Sequence, residues 1–334
     1  MKIHRSFSIR AIALLLTTGL LSAVAMADHG KSKPKVKSED DFTFTDYPAA
    51  EGQTDVVLTG INRHLWVSGF ASTSEGSRSF LDNGVTVTSA NLVPADPLVT
   101  FDSFALGIAN NGTAAGNAFA SDGSFSAYTV AGSTVAALTY PGSEPNSTSI
   151  YTVASDGTVL GEALLAVEPF FVQFTYKNGV FKPVAKQRRA PFPNIVWERI
   201  NASGALLGGA ELEGGGVAYV IAKRGSYEVL RPLPANTVGN AVALLDSGEA
   251  VFAVSQIEST DEGEVVVAEY GLVSKGRKWL RVDHPEGSDF TTVTAAVSID
   301  EDDFAFAGRR WDEATQSFVA FTAAPEEHCK RGRR

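Results

Sequence analysis

The stretch "DFTFTDYP" (41–48) decides the fold. It alternates apolar and polar residues, as a half-buried strand does, and stops at a proline. It sits between a charged leader and the first of a series of repeats, so nothing near it in sequence is free to pair with it. Its partner is identified by following the chain to its other end.

The region 42–325 has almost no helical periodicity. Short alternating runs rich in Val, Phe, Thr, Tyr and Ala are broken by turn signals every 8–12 residues, the pattern of an all-β chain. One phrase recurs: "GINRHLWVSG" (60–69), "GIANNGTAAG" (107–116), "TVASDGTVLG" (152–161), "RINASGALLG" (199–208), "ALLDSGEAVF" (243–252) and "VSIDEDDFAFAG" (297–308). Its turn residues Asn62, Asn110, Ser155, Ala202, Asp246 and Asp300 are 48, 45, 47, 44 and 54 residues apart. A second landmark, Pro48, Pro94, Pro141, Pro193, Pro234 and Pro285, has nearly the same period. Gly112, Gly157, Gly204 and Gly248 each fall two residues past their turn residue, where a tight hairpin turn needs positive φ.

Each unit has room for four short strands. In the first they fall near 54–61, 65–71, 78–82 and 85–92; in the third, 158–164, 170–176 and 179–184 are three of the four. Four strands in about 47 residues, repeated six times, predicts a six-bladed β-propeller with four antiparallel strands per blade. The alternatives are a β-sandwich array and an open β-solenoid. The last copy holds only three strands, near 290–299, 303–308 and 317–323, before "PEEHCKRGRR". Fourth strands elsewhere end at a proline, as in "TVAALTYP" and "YEVLRPLP", and so does "DFTFTDYP". The N-terminal strand 42–48 is therefore expected to complete the sixth blade, joining the two ends of the chain and covering open strand edges.

The flanking segments read differently. Residues 1–27 have a basic start (Lys2, Arg5, Arg10), an apolar stretch and "AMA" before Asp28, which predicts a signal peptide cleaved after Ala27 and a periplasmic or secreted product. Residues 28–41 form a polar, charged leader expected to be flexible, 42–325 a single propeller domain, and 326–334 a short basic tail. No later segment is long and apolar enough to span a bilayer. The chain carries a net charge of −10, and removing 1–27 leaves 25 Lys and Arg against 38 Asp and Glu, so nucleic acid is not an expected partner. Its single cysteine, Cys329, excludes an internal disulfide framework. A monomer is expected.

The units resemble a class of bacterial extracellular repeats named for a His-Ala-Phe motif. The resemblance rests on "YPAAEGQTDVVLTGIN", "YPGSEPNSTSIYTVASDGTVLG" and "RINASGALLGG", and covers nearly all of 42–325. At the His-Ala-Phe position stand "SRSF" (77–80), "FSAY" (125–128), "GVAY" (216–219) and "VAEY" (267–270), none with a histidine. The resemblance implies export and a repeat architecture, and it implies no reaction.

Candidate chemistry is sparse. Beyond residue 27 the histidines are His29, His64, His284 and His328, two of them in the tails. No GxSxG elbow, HExxH or CxxC is present. The innermost strands, such as "VVLTGI" and "FTTVTAAVSI", read as apolar or hydroxylic. The turn "SIDEDDF" offers Asp300, Asp302 and Asp303 as a weak Ca²⁺ candidate without the glycine and closing glutamate of an EF-hand loop, and no other cofactor is expected. Loops that enter first strands share one rim with the loops between second and third strands. On that rim lie Lys186, Arg188, Arg189 and Phe192, with His284, Arg309, Arg310 and Trp311. Arginine and aromatic residues favour recognition of a small anionic ligand, an acidic glycan or a partner protein. The preferred reading is an exported, non-enzymatic binding or scaffold propeller. The alternatives are a propeller hydrolase or lyase acting on sugars or small esters, and a cell-surface assembly component using Cys329 or the basic tails.

Overall fold

The computed structural model describes residues 42–84, 87–89, 101–120, 125–132, 134–185, 190–213, 215–260, 263–276, 278–287, 289–300 and 303–326. The first strand is β1 (Phe42–Tyr47). Blade 1 holds β2 (Thr54–Ile61), β3 (Val67–Thr73), β4 (Gly76–Asp82) and β5 (Val87–Ser89). Blade 2 holds β6 (Phe101–Ile108), β7 (Ala114–Ala120), β8 (Phe125–Ala131) and β9 (Thr134–Leu138). Blade 3 holds β10 (Ser143–Val153), β11 (Val159–Leu165), β12 (Phe171–Lys177) and β13 (Val180–Pro183). Blade 4 holds β14 (Val196–Ile200), β15 (Leu206–Glu211), β16 (Val217–Lys223) and β17 (Ser226–Val229). Blade 5 holds β18 (Thr237–Leu244), β19 (Ala250–Thr260), β20 (Gly263–Lys275) and β21 (Lys278–Val282). Blade 6 holds β22 (Thr291–Ser298), β23 (Phe304–Asp312) and β24 (Ser317–Pro325).

The six four-stranded antiparallel sheets form a six-bladed β-propeller. The sixth is ordered β22-β23-β24-β1, so the first strand of the chain is its outer strand. The pairing runs from Phe42 opposite Pro325 to Tyr47 opposite Ala320. The side chains of β1 complete the closure: Phe44 meets Phe306 and Phe321 at ring separations of 5.7 and 5.6 Å, and Tyr47 stacks on Phe80 of blade 1 at 5.8 Å. A Thr294 hydroxyl donates to the carbonyl of Leu58, which ties the inner strands of blades 6 and 1 together.

Each junction between neighbouring blades has its own apolar cluster, because alternate residues of a strand face opposite sides of its sheet. Val56, Leu58 and Phe80 pack on Ala305, Ala307 and Ala320 between blades 1 and 6. Phe304, Phe306 and Phe321 pack on Val251 and Val273 between blades 6 and 5. Five second strands carry a glycine at the same register: Gly69, Gly116, Gly161, Gly208 and Gly308. In four of them the residue opposite on the third strand is aromatic: Phe80, Tyr128, Phe174 and Phe321. A Cβ at Gly116 would stand 2.2 Å from the Phe104 carbonyl oxygen and 2.5 Å from the Tyr128 hydroxyl, so only glycine lets the ring lie across the sheet. The aromatic residues of "SRSF" and "FSAY" are two of these rings.

Every innermost strand carries a β-bulge at one place in the repeat. The extra residues are Thr59, Leu106, Tyr151, Glu198, Val242 and Thr294. Just beyond, the turn residues link one blade to the next: Asn62 Nδ2 donates to the Ala109 carbonyl at 2.9 Å, and Asn201 Nδ2 to the Leu245 carbonyl at 2.9 Å.

Candidate functional site

The six innermost strands meet at the axis. A cavity of about 50 Å³ remains, lined by residues such as Thr59, Leu106, Thr152, Val242 and Ala295. Hydrogen bonds span its turn end. Ser155 Oγ reaches from blade 3 to donate to Asp246 Oδ2 of blade 5 at 2.7 Å, and the Ala202 N–H donates to the other carboxylate oxygen at 2.9 Å. The Asp246 N–H donates to Ser298 Oγ at 2.8 Å. Such a volume holds a few water molecules and not a sugar ring.

Beside this cavity lies a polar cluster built from blades 3 and 4. The bulge in β10 turns Tyr151 towards Glu162 of β11, and the phenol donates to Glu162 Oε2. Ser149 Oγ adds a long contact to Oε1 at 3.5 Å. The bulge in β14 brings in Glu198 and Arg199, and Arg199 Nε donates to the Val242 carbonyl of blade 5 at 2.9 Å. Tyr219 donates to the Gly239 carbonyl at 2.5 Å. Burial raises Glu162 above the usual carboxylate range, opposed by hydrogen bonds from Tyr151 and Ser149. Burial also raises Glu198, opposed by the adjacent Arg199 guanidinium. Both Tyr151 and Tyr219 are pushed far up, first by burial and then by carboxylates. Two carboxyl groups held towards their protonated form are chemically suited to donating a proton or a hydrogen bond.

The innermost strands were expected to be apolar or hydroxylic, and β14 is not. "VWERI" places a Glu-Arg pair where the other five copies have uncharged residues, and "VLGEALL" buries Glu162 within an apolar strand, with only 4 % of the residue exposed. Those two departures from the repeat were the available signal.

Five of the eight residues expected on the rim are described, and of these His284 and Arg310 share one site. Lys186, Arg188 and Arg189 lie outside the described residues. Phe192 packs against the cluster between blades 3 and 4. Arg309 and Arg310 are adjacent in sequence and therefore face opposite sides of blade 6. Arg310, on the blade 5 side, is buried and makes a two-point ion pair with Asp46. His284 is buried beside it, edge-on to Phe44 at 4.7 Å and Phe321 at 4.9 Å, with Nδ1 accepting the Glu286 N–H at 3.1 Å. Burial and then Arg310 lower its pKa to about 4, so the ring is neutral at pH 7. On the blade 1 side, the Arg309 guanidinium lies over the Phe318 ring at 4.3 Å. Trp311 meets the same ring edge-on at 5.1 Å, and its indole N–H is buried with no hydrogen-bond partner among the described residues. In the turn after β22, the Ile299 N–H donates to the Asp303 carbonyl at 2.9 Å and Asp300 stands in the same turn, while Asp302 is outside the described residues. Among the described residues, no group of three or more His, Cys, Asp or Glu is placed to hold a metal ion.

Among the described residues, two hairpins on this rim expose apolar side chains. The hairpin between β11 and β12 exposes Leu164, Val167, Phe170 and Phe171, with Val167 at 70 %. The corresponding hairpin of blade 4 exposes Leu212 and Val217.

Fold and site together define a six-bladed β-propeller with a small axial cavity and exposed apolar hairpins on blades 3 and 4. No protein-family model and no curated protein matches the chain. Among solved structures it is similar to a protein of unknown function from Dyadobacter fermentans, at 10 % identity and a TM-score of 0.46, over 85 % of this chain and 98 % of the other. It is also similar to a mutant Aleuria aurantia lectin in complex with Fucα1-6GlcNAc, at 10 % identity and 0.40, over 81 % and 96 %. A Trypanosoma rangeli sialidase matches at 7 % identity and 0.44, over 89 % of this chain; the match spans only 59 % of the sialidase. Likeness at this level bears on neither ligand nor reaction.

Proposed function

We propose that the protein is an exported, non-enzymatic binding or scaffold propeller that engages its partner through the hairpin rim. One contrast carries this reading: the axis keeps a cavity of only about 50 Å³, while the hairpins of blades 3 and 4 expose large apolar side chains to solvent. Clustered exposed apolar groups favour recognition of another surface. Export rests on residues 1–27, and a place among the His-Ala-Phe repeats rests on the quoted motifs. The partner classes are a protein, a glycan or a small anionic ligand. Photo-crosslinking in the native host, from positions 167 and 170 and from Asn178 at the opposite end of blade 3, tests the reading. Adducts from the first two positions and none from 178 are expected; equal labelling from all three would sink it.

The Tyr151–Glu162 and Glu198–Arg199 cluster supports a second reading, a propeller hydrolase or lyase acting on sugars or small esters. Turnover of a chromogenic glycoside or ester that vanishes in Glu162→Gln and Glu198→Gln would favour it. Stoichiometric divalent metal in the purified protein, seen by native mass spectrometry, would also favour it.

A further inference from the structure

Strand β17 is the outer strand of blade 4 and pairs on one side only, with β16. The Leu230 N–H donates to the Tyr219 carbonyl at 2.9 Å, towards β16. One residue earlier, the N–H and C=O of Val229 therefore point away from the sheet, along its outer edge. Outer strands are commonly protected by charge or proline. β13 carries Lys182 and Pro183, and β21 carries Lys278 and Arg281. β17 carries one charge, Glu228, and ends in Val229, a residue 49 % exposed.

The edge borders a groove. After β17 the chain runs through Pro232 and Pro234 and crosses to blade 5, where Trp279 Nε1 donates to the Pro232 carbonyl at 3.2 Å. Leu233 and Trp279 pack against the core between blades 4 and 5. The groove has a volume of about 930 Å³ and is lined by Glu228, Val229, Leu233, Pro234, Lys278 and Trp279 among others. Glu228 and Lys278 are both exposed, and they give its walls opposite charges.

We propose that this groove takes an extended peptide segment of a partner protein, added as a fifth strand to blade 4. Backbone hydrogen bonds to the outer edge at Val229 hold the segment. Every second side chain enters the groove against Leu233 and Trp279, while charged residues of the segment meet Glu228 and Lys278. The required peptide alternates apolar residues and carries both charges. The chain's own leader "DHGKSKPKVKSEDD" lacks that alternation and is not complementary. This inference goes beyond the rim reading and does not depend on it.

The test pans a random twelve-residue peptide library on the folded chain, then measures the selected peptides, fluorescein-labelled, by anisotropy. Selected peptides are expected to show alternating apolar residues. Val229→Pro removes the outward N–H together with the valine side chain and keeps an extended backbone, so unchanged circular dichroism and melting with about tenfold weaker binding is expected, whereas Val229→Ala, which loses the side chain but keeps the N–H, is expected to bind more tightly than Val229→Pro. Lys278→Glu, at an exposed position, is expected to weaken the peptides that carry an acidic residue. A panning with no enriched sequence, or equal affinity for Val229→Pro and the parent, overturns the proposal.

Discussion

Asp46 and Arg310, 264 positions apart in sequence, are joined at two points: Nε to Oδ1 at 3.2 Å and Nη2 to Oδ2 at 2.8 Å. The pair locks the first strand of the chain to the second strand of the last blade. The Arg310 side chain is 9 % exposed and that of Asp46 46 %. Glu286 and Asp312 stand 3.7 and 3.9 Å from the same guanidinium. Asp46→Ala leaves a buried cation with only these weaker partners. Because Asp46 is half in solvent, the expected loss is about 1–2 kcal/mol, below that of a fully buried pair. Urea unfolding of Asp46→Ala, Arg310→Ala and the Asp46→Ala/Arg310→Ala double variant measures it. The double variant should be less damaged than the sum of the singles.

Removing residues 42–48 should cost far more. It strips the aromatic cover from Phe306 and Phe321 and leaves β24 with an open edge. Phe42, Phe44 and Tyr47 together bury enough apolar surface for a loss on the order of 4–6 kcal/mol, at about 1.5–3 kcal/mol per fully buried side chain and less for these partly buried ones. The variant is expected to melt at a markedly lower temperature and to associate on size-exclusion chromatography. An unchanged melting point and a monomeric profile would refute closure by this strand.

Gly116→Ala tests the paired glycine and aromatic rings. The added methyl meets a backbone carbonyl at 2.2 Å as well as the Tyr128 hydroxyl. A destabilisation of about 1–3 kcal/mol is expected. Truncating the ring in Gly116→Ala/Tyr128→Ala should not restore stability, because the carbonyl clash remains. Calorimetry on both variants decides the point.

Two buried groups should tilt stability with pH in opposite directions. His284, lowered to about 4, binds fewer protons folded than unfolded. Its contribution is complete above about pH 6.5 and is lost as pH falls towards 4, a change on the order of 3 kcal/mol. Glu162 is raised, so the folded chain holds its proton longer. Its contribution is complete below the ordinary glutamate range and is lost as pH rises through the raised value. Urea midpoints across pH are expected to lose the first slope in His284→Asn and the second in Glu162→Gln.

The propeller was legible because its determinants are local and repeated. Turn residues such as Asn62 and Gly157 recur with the blade, and "DFTFTDYP" carries the strand pattern that the last copy lacks. Where the rim arginines point was not legible, for an equally physical reason. Charge is visible in sequence, but the side of a sheet it faces depends on register, and one residue's difference sends Arg309 towards blade 1 and Arg310 towards blade 5. The Glu198 cluster was missed because a bulge, not alternation, sets where β14 points its side chains. A bulge leaves no mark in a single copy and shows only when six copies are compared.

Phe42 lies opposite Pro325 in one ladder, so a short linker would join the ends of the ring. The ring then has no intrinsic first blade. A circular permutant cut between two other blades, for example between β13 and β14, would turn the present seam into an ordinary hairpin and move the non-covalent junction elsewhere. Each blade boundary could thus be assayed in turn as the place where the ring is held shut without a peptide bond.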